Sequence, residues 1–249
     1  MTMTIKKNDH DMIRTLFFRL LPIQVLIIAM GSVNSIIDGA VAGQFIDAIT
    51  VGVVGLYFPM VNILTAVGNV LLGGTAVLCG RYMGAGDLNR TKGIYSLNLL
   101  LTVSIGLLLT LISFLLPEFL AIILGASEQL KPALVLYITG FAIGIVPQLL
   151  AQQLASFLQL ERQNKRSYIG VGAMIISNII ADLVFVAYLK MGIFGLALAT
   201  SASNWIYCLV LGQYYLTKKA QLRFDRKLID FKEIKPLLAI GIPGARLVV

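Results

Sequence analysis

Residues 167–189 read SYIGVGAMIISNIIADLVFVAYL, a stretch in which Asp182 is the one charged residue. A helix needs about 20 residues to cross a ~30 Å hydrocarbon core, and an uninterrupted apolar run of this length meets that requirement. The run does not alternate polar and apolar residues and is rich in Ile, Val, Ala and Gly. It therefore reads as a helix rather than as a strand of an outer-membrane barrel. Residues 20–41, 52–79, 94–116, 132–158 and 191–216 read the same way, and residues 237–249 begin another such stretch. The expected fold class is all-α: a polytopic membrane protein, with a bundle of six transmembrane helices and the start of a seventh.

Composition points the same way. Hydrophobic residues make up 58% of the chain and charged residues 13%, which excludes the usual pattern of a water-soluble domain. The net charge of +8 is carried in short basic clusters beside the apolar spans. Topology and membrane lipids explain such clusters, and without an aromatic-basic recognition motif nucleic acid is not an expected partner. Cys79 and Cys208 sit in apolar segments and His10 is the only histidine, so neither a zinc-ligand cluster nor a disulfide framework can be assembled. The first apolar run is too long for a signal peptide, contains Asp38 and lacks a small-residue cleavage site, so it is expected to be retained.

Basic residues also set the orientation. Lys6, Lys7, Arg14 and Arg19 precede the first span, and the connection 44–48 carries no basic residue. Arg81, Arg90 and Lys92 follow the second span, and Arg162, Lys165 and Arg166 follow the fourth. A cluster from Lys218 to Lys235 follows the sixth, whereas the third and fifth connections offer only Lys131 and Lys190. The positive-inside rule then places the N-terminus in the cytoplasm. The organisation expected is a cytoplasmic N-terminal segment (1–19), the six-helix bundle (20–216), a basic cytoplasmic linker (217–236) and the truncated start of a second bundle (237–249). The linker reads equally as an amphipathic stretch on the cytoplasmic leaflet and as a solvated connection. Short connections near Gln44 and Lys190 make helices one and two, and five and six, antiparallel neighbours.

Asp38 and Asp182 are the two acidic residues that these spans place within the membrane. An ionised carboxylate there costs ~2.5 to 3.5 kcal/mol on insertion scales, so something must offset it. Asn34 precedes Asp38 by one helical turn and Asn178 precedes Asp182 likewise, which puts amide and carboxylate on one face of each helix. Two such faces can form a small polar chamber. Carboxylate and amide oxygens suit hard cations such as Na⁺, and a carboxylate in an apolar setting can also take up a proton. The bland alternative is that both aspartates lie at helix ends and reach interfacial water.

In the fourth span, Pro147 precedes Gln148, Gln152 and Gln153, with Gln148 and Gln152 on one face. A proline kink beside them makes both candidate cavity-lining residues, together with Asn34, and interhelical hydrogen bonding is the alternative. Gly39 and Gly43, Gly80 and Gly84, and Gly140 and Gly144 are small-xxx-small pairs expected to allow close helix packing. Gly84-Ala85-Gly86-Asp87 lacks the strand and the Lys-Ser/Thr of a phosphate loop and reads as a tight turn.

Several of these fragments together resemble the multidrug and toxic compound extrusion transporters, within the larger group that includes lipid-linked polysaccharide flippases. The fragments are Asp38-Gly39 leading to Gly43, the run Arg81-Tyr82-Met83-Gly84-Ala85-Gly86-Asp87, and Asn178 with Asp182. Gly192, Gly195, Ala197, Ala199, Thr200 and Gly241-Ile242-Pro243 complete them. The resemblance implies an N-terminal six-helix lobe that packs against a second six-helix bundle in a twelve-helix protein of the bacterial inner membrane. It implies export of small-molecule drugs or toxic cations by antiport with Na⁺ or H⁺, with no cofactor. It also implies a cation site of Asp38, Asn178, Asp182 and Thr200, the last of which residue patterning alone does not single out.

Rival functions stay open at this level. A flippase for a lipid-linked substrate shares the fold, although basic residues here stay at the cytoplasmic edges. Two intramembrane aspartates also suggest an aspartyl protease, but neither Ile37-Asp38-Gly39 nor Ala181-Asp182-Leu183 supplies its Gly-x-Gly-Asp turn. A structural half without activity of its own is the third alternative.

Overall fold

The long apolar runs become long helices because lipid offers the backbone no hydrogen-bond partner, so each span must satisfy its own polar groups. The computed structural model describes residues 36–46, 48–217 and 219–242. The expected N-terminal segment 1–19, most of the first span with Asn34, and residues 243–249 of the expected second bundle lie outside the described residues. In chain order the helices are α1 (36–45), α2 (Ala48–Gly84), α3 (Leu88–Leu115), α4 (Pro117–Ile123), α5 (Lys131–Leu160), α6 (Asn164–Asp182), α7 (Gly192–Tyr215) and α8 (Ile234–Gly241). Among the described residues, five stretches, ending in α2, α3, α5, just beyond α6 and in α7, are long and apolar enough to cross a membrane. The protein is a multi-pass, all-α membrane protein. Its 37-residue α2 is roughly 55 Å long at ~1.5 Å per residue, so it outreaches the hydrocarbon core.

Helices α5 and α7 lie innermost, each more than half buried, while α3 and α6 turn most of their surface outward. The reason is a matched pair of small-residue faces. A Cβ added to Gly144 would meet the Ser201 backbone, and one added to Gly140 would meet Ala197 and the Phe194 carbonyl. Ser201 Oγ uses this approach to donate to the Gly140 carbonyl at 2.8 Å. The other two small-xxx-small pairs behave differently. Among the described residues, Gly39, Gly80 and Gly84 have open space where a Cβ would stand, and Gly43 meets only Val51 at an ordinary distance. Spacing shows that a face is small, not that another helix lies on it.

The core falls into layers. Tyr57, Leu64, Tyr137, Phe141, Ile145 and Leu196 pack together on the side of the bundle that holds Asp38. Leu71, Leu78, Tyr95, Phe157, Leu222 and Leu237 pack together toward the other end. Between them Asn98 Nδ2 donates to Thr75 Oγ1 at 2.8 Å and to Gln153 Oε1 at 3.1 Å, and Gln153 Nε2 donates to the Gly68 carbonyl at 3.0 Å. This polar layer ties α2, α3 and α5 together at a depth where no water competes.

Helix ends follow local chemistry. The turn at Gly84-Ala85-Gly86-Asp87 is tight, as its sequence suggests: Gly86 takes φ +74°, and the Asp87 side chain caps α3 by accepting from Arg90 N at 3.0 Å. The fifth span is not one regular helix. From Leu183 to Tyr188 it widens into a π-helical turn, with Leu189 N donating to the Val184 carbonyl. Met191 N then donates to the Phe185 carbonyl, and Lys190 and Gly192 both adopt positive φ, so the wide turn feeds directly into α7.

The segment after α7 is pinned to the bundle. Glu161 accepts from Tyr214 Oη at 2.6 Å, from Leu222 N at 2.9 Å and from Gln221 N at 3.1 Å. Asp225 N donates to Ser96 Oγ at 2.8 Å, and the Leu228 carbonyl rests against Gly93. Tyr82 Oη donates to Glu233 Oε1 at 2.7 Å just before α8 begins. Helix α8 then crosses α2 backbone to backbone, with Gly74 under Leu237 and Gly241 against Val70.

Candidate functional site

Asp38 leaves α1, Asn178 and Asp182 leave the end of α6, and Thr200 leaves the third turn of α7. Helix spacing places Asn178 and Asp182 on one face, and packing of α6 on α7 turns that face toward Thr200. The four side chains converge. Thr200 Oγ1 lies 3.3 Å from Asp38 Oδ2 and also 3.3 Å from the Leu196 carbonyl, so one hydroxyl has two acceptors in range. The Asp38 carboxyl lies against Asn178 and Asp182 as well. Asp38 is 5% exposed, Thr200 9%, and Asn178 and Asp182 are 0% exposed, so neither carboxylate reaches interfacial water.

Among the described residues, both Asp182 oxygens and both polar atoms of the Asn178 amide are buried without a direct hydrogen bond of ordinary geometry. Two carboxylates facing each other at this burial do not both stay ionised by themselves: either one takes up a proton or a cation lies beside them. The donor set is hard oxygen throughout: two carboxylates, an amide and a hydroxyl. It suits a small cation or a proton better than a metal that prefers nitrogen or sulfur. Among the described residues no three His, Cys, Asp or Glu side chains gather to hold a metal.

Residue patterning missed Tyr137. It is fully buried on α5, stands within electrostatic range of both Asp38 and Asp182, and packs edge-on against Tyr57 with ring centroids 5.1 Å apart. In the sequence it is one aromatic residue in an apolar helix, so nothing local marks it. The π-helical turn that starts directly after Asp182 was equally invisible, and such turns recur at functional sites.

Gln148 and Gln152 do not join this cluster. Gln152 Nε2 donates to Asn69 Oδ1 at 2.8 Å on an open seam between α2 and α5, and Gln148 Oε1 is buried without a hydrogen bond among the described residues. Gln153, on the neighbouring face, enters the polar layer instead.

Residues 25–184, well over half of the chain, match the MatE family model. The chain is 25% identical over 221 residues to the multidrug export protein MepA of Staphylococcus aureus, covering 86% of this chain and 49% of that protein. It is 26% identical over 193 residues to MepA of Staphylococcus saprophyticus, covering 76% and 43%. It thus spans about half the length of the curated relatives it matches. Among solved structures, a MOP-superfamily transporter from Pyrococcus furiosus has the same fold, with a TM-score of 0.81 at 20% identity over 92% of this chain and 51% of that one. A multidrug resistance MATE transporter in its inward-facing conformation gives 0.76 at 20% identity over 85% and 49%. With its all-α membrane bundle and a family match that takes in Asp38, Asn178 and Asp182, the chain belongs to the MatE family and corresponds to the N-terminal half of a MATE transporter.

Proposed function

We propose that this chain is the N-terminal lobe of a secondary multidrug exporter that moves cationic or amphiphilic small molecules out of the cell in exchange for Na⁺ or H⁺. The observation that carries this reading is the buried meeting of Asp38, Asn178, Asp182 and Thr200 from three helices. The similarity to MepA proteins named for multidrug export supports the transport class. The N-terminus lies in the cytoplasm, the protein resides in the inner membrane, and the lobe packs against a second six-helix bundle.

In this mechanism a cation enters between α1, α6 and α7 and neutralises the facing carboxylates of Asp38 and Asp182. Thr200 orients Asp38, and Asn178 contributes its amide oxygen. Neutralisation favours whichever helix arrangement holds the two carboxylates together, and opening that arrangement releases the ion. The ion drives drug movement only through its different affinity for the two arrangements. Because α6 ends in a π-helical turn at Asp182, a small change in that turn would move the carboxylate relative to Asp38.

The test is efflux of a fluorescent cationic dye from cells expressing the complete reading frame, under imposed Na⁺ and H⁺ gradients. Efflux driven by one gradient and lost in Asp182→Asn, with membrane insertion unchanged, is the expected result. Efflux retained with the same ion dependence removes Asp182 from the mechanism.

A further inference from the structure

Residues 219–233 form a strap whose two faces are used differently. On the inner face Ala220 and Leu222 are buried, and backbone donors of Gln221, Leu222 and Asp225 are taken by Glu161 and Ser96. The strap's acidic side chains are also spent locally. Asp225 accepts from Lys227 N, Asp230 accepts from Lys232 N, and Glu233 accepts from Tyr82 Oη. The outer face keeps what is left: Phe224 is 54% and Phe231 64% exposed, interleaved with exposed Arg223, Arg226, Lys227 and Lys232. Among the described residues, none of these four cations forms an ion pair, and Arg223 Nη2 donates to the Thr217 carbonyl at 2.6 Å.

The strap starts at the end of α5, where Glu161 holds Gln221 and Leu222, and then runs along the side of α3. Its contacts with α3 fall at Gly93 and Ser96, and Ser96 lies about 12 Å along the axis from Leu88 at ~1.5 Å per residue. The apolar run of α3 begins at Ile94, so these contacts lie at the edge of the span, the level that headgroups take around such a helix. Exposed aromatic rings flanked by long cationic side chains fit such a level: the rings enter the acyl boundary while the charges extend to phosphate.

We propose that the outer face of this strap, formed by Arg223, Phe224, Arg226, Lys227, Phe231 and Lys232, is a docking surface for anionic phospholipid headgroups of the membrane in which the bundle sits. The strap joins α7 to α8, and α8 crosses α2 at Gly74 and Gly241. Lipid held on the outer face therefore presses the strap onto α3 and steadies the α2–α8 crossing. This role rests on the membrane fold and on the strap's own chemistry, and it holds whether or not the lobe exports drugs.

Its test uses a spin label on Phe224→Cys in the full chain, which is accessible to reagent while Cys79 and Cys208 are buried. The protein is reconstituted in bilayers of phosphatidylcholine alone and of phosphatidylcholine mixed with phosphatidylglycerol. Symmetric bilayers make the readout independent of orientation and of transport. The expected result is a label that shifts from water-accessible to lipid-accessible when phosphatidylglycerol is present. Replacing Arg223, Arg226 and Lys227 by Gln should reverse the shift, with partitioning weakened about fivefold for each charge removed. A label equally water-accessible in both bilayers overturns the proposal, as does equal immersion in both, since the first means a solvated strap and the second means no preference for anionic headgroups. The comparison of the two bilayers needs no charge substitution, so a poorly folded variant does not blunt it.

Discussion

Thr200 Oγ1 on α7 stands 3.3 Å from Asp38 Oδ2 on α1, and this contact joins two helices 162 residues apart in the chain. It completes a buried cluster whose other polar groups, Asn178 and Asp182, come from α6. Because α7 is also the helix most tightly packed on α5, the position of Thr200 is set by the α5–α7 seam rather than by the cluster itself.

Thr200→Val keeps the shape of the side chain and removes its donor. A hydrogen bond to a charged group contributes about 1.5 to 3 kcal/mol, so half-saturation by the coupling ion should move to roughly 10- to 100-fold higher concentration. Thr200→Ser should recover most of the loss. Dye efflux titrated with the ion checks both, and an unchanged midpoint in Thr200→Val would separate this hydroxyl from ion binding.

The α5–α7 seam makes a sharper distinction among glycines than spacing does. Gly144→Ala places a methyl against the Ser201 backbone, and overpacking of this kind costs about 1 to 3 kcal/mol. Gly80→Ala meets open space among the described residues and, lying inside α2, should hold or raise stability by up to about 1 kcal/mol. Thermal unfolding of the two variants in detergent compares them, and equal midpoints would contradict the packing described.

Asn98→Leu leaves Gln153 Oε1 and Thr75 Oγ1 without their shared donor. Interhelical hydrogen bonds in membranes average about 0.6 kcal/mol and reach about 1.7, so the cost should lie near the upper figure because two partners are stranded. Adding Gln153→Leu should cost less than the two single losses combined. Additive losses in this double-substitution cycle would show that the layer does not act as a unit.

Glu161→Ala removes the acceptor for three donors at once. Amide exchange at Gln221 and Leu222 should accelerate by at least tenfold, while exchange in α5 and α7 stays slow. Unchanged protection at those two amides would place the strap's anchor elsewhere.

Much of this was legible in the residues. Uninterrupted apolar runs fix where helices cross, because an unsatisfied backbone cannot remain in lipid, and the Asn178–Asp182 spacing fixes a shared face. Thr200 came only through resemblance, since a threonine in an apolar helix has no local mark of function. Asn98 did carry a signal, as a lone amide in the third span, but its partners Thr75 and Gln153 are set by the packing of three helices. The short helix α4, the π-helical turn after Asp182 and the pinning of the strap were hidden as well. The strap depends on contacts between residues far apart in sequence, such as Glu161 with Leu222, while α4 and the π-helical turn lie inside apolar stretches, and hydropathy is blind to both.

The central claim is that the coupling ion is held between Asp38 and Asp182, and infrared difference spectroscopy of the full-length transporter tests it most directly. Adding Na⁺, or stepping the pH, should change carboxyl bands in the native protein, and the change should vanish in both Asp38→Asn and Asp182→Asn. An ion-induced change that survives intact in both variants would contradict the account.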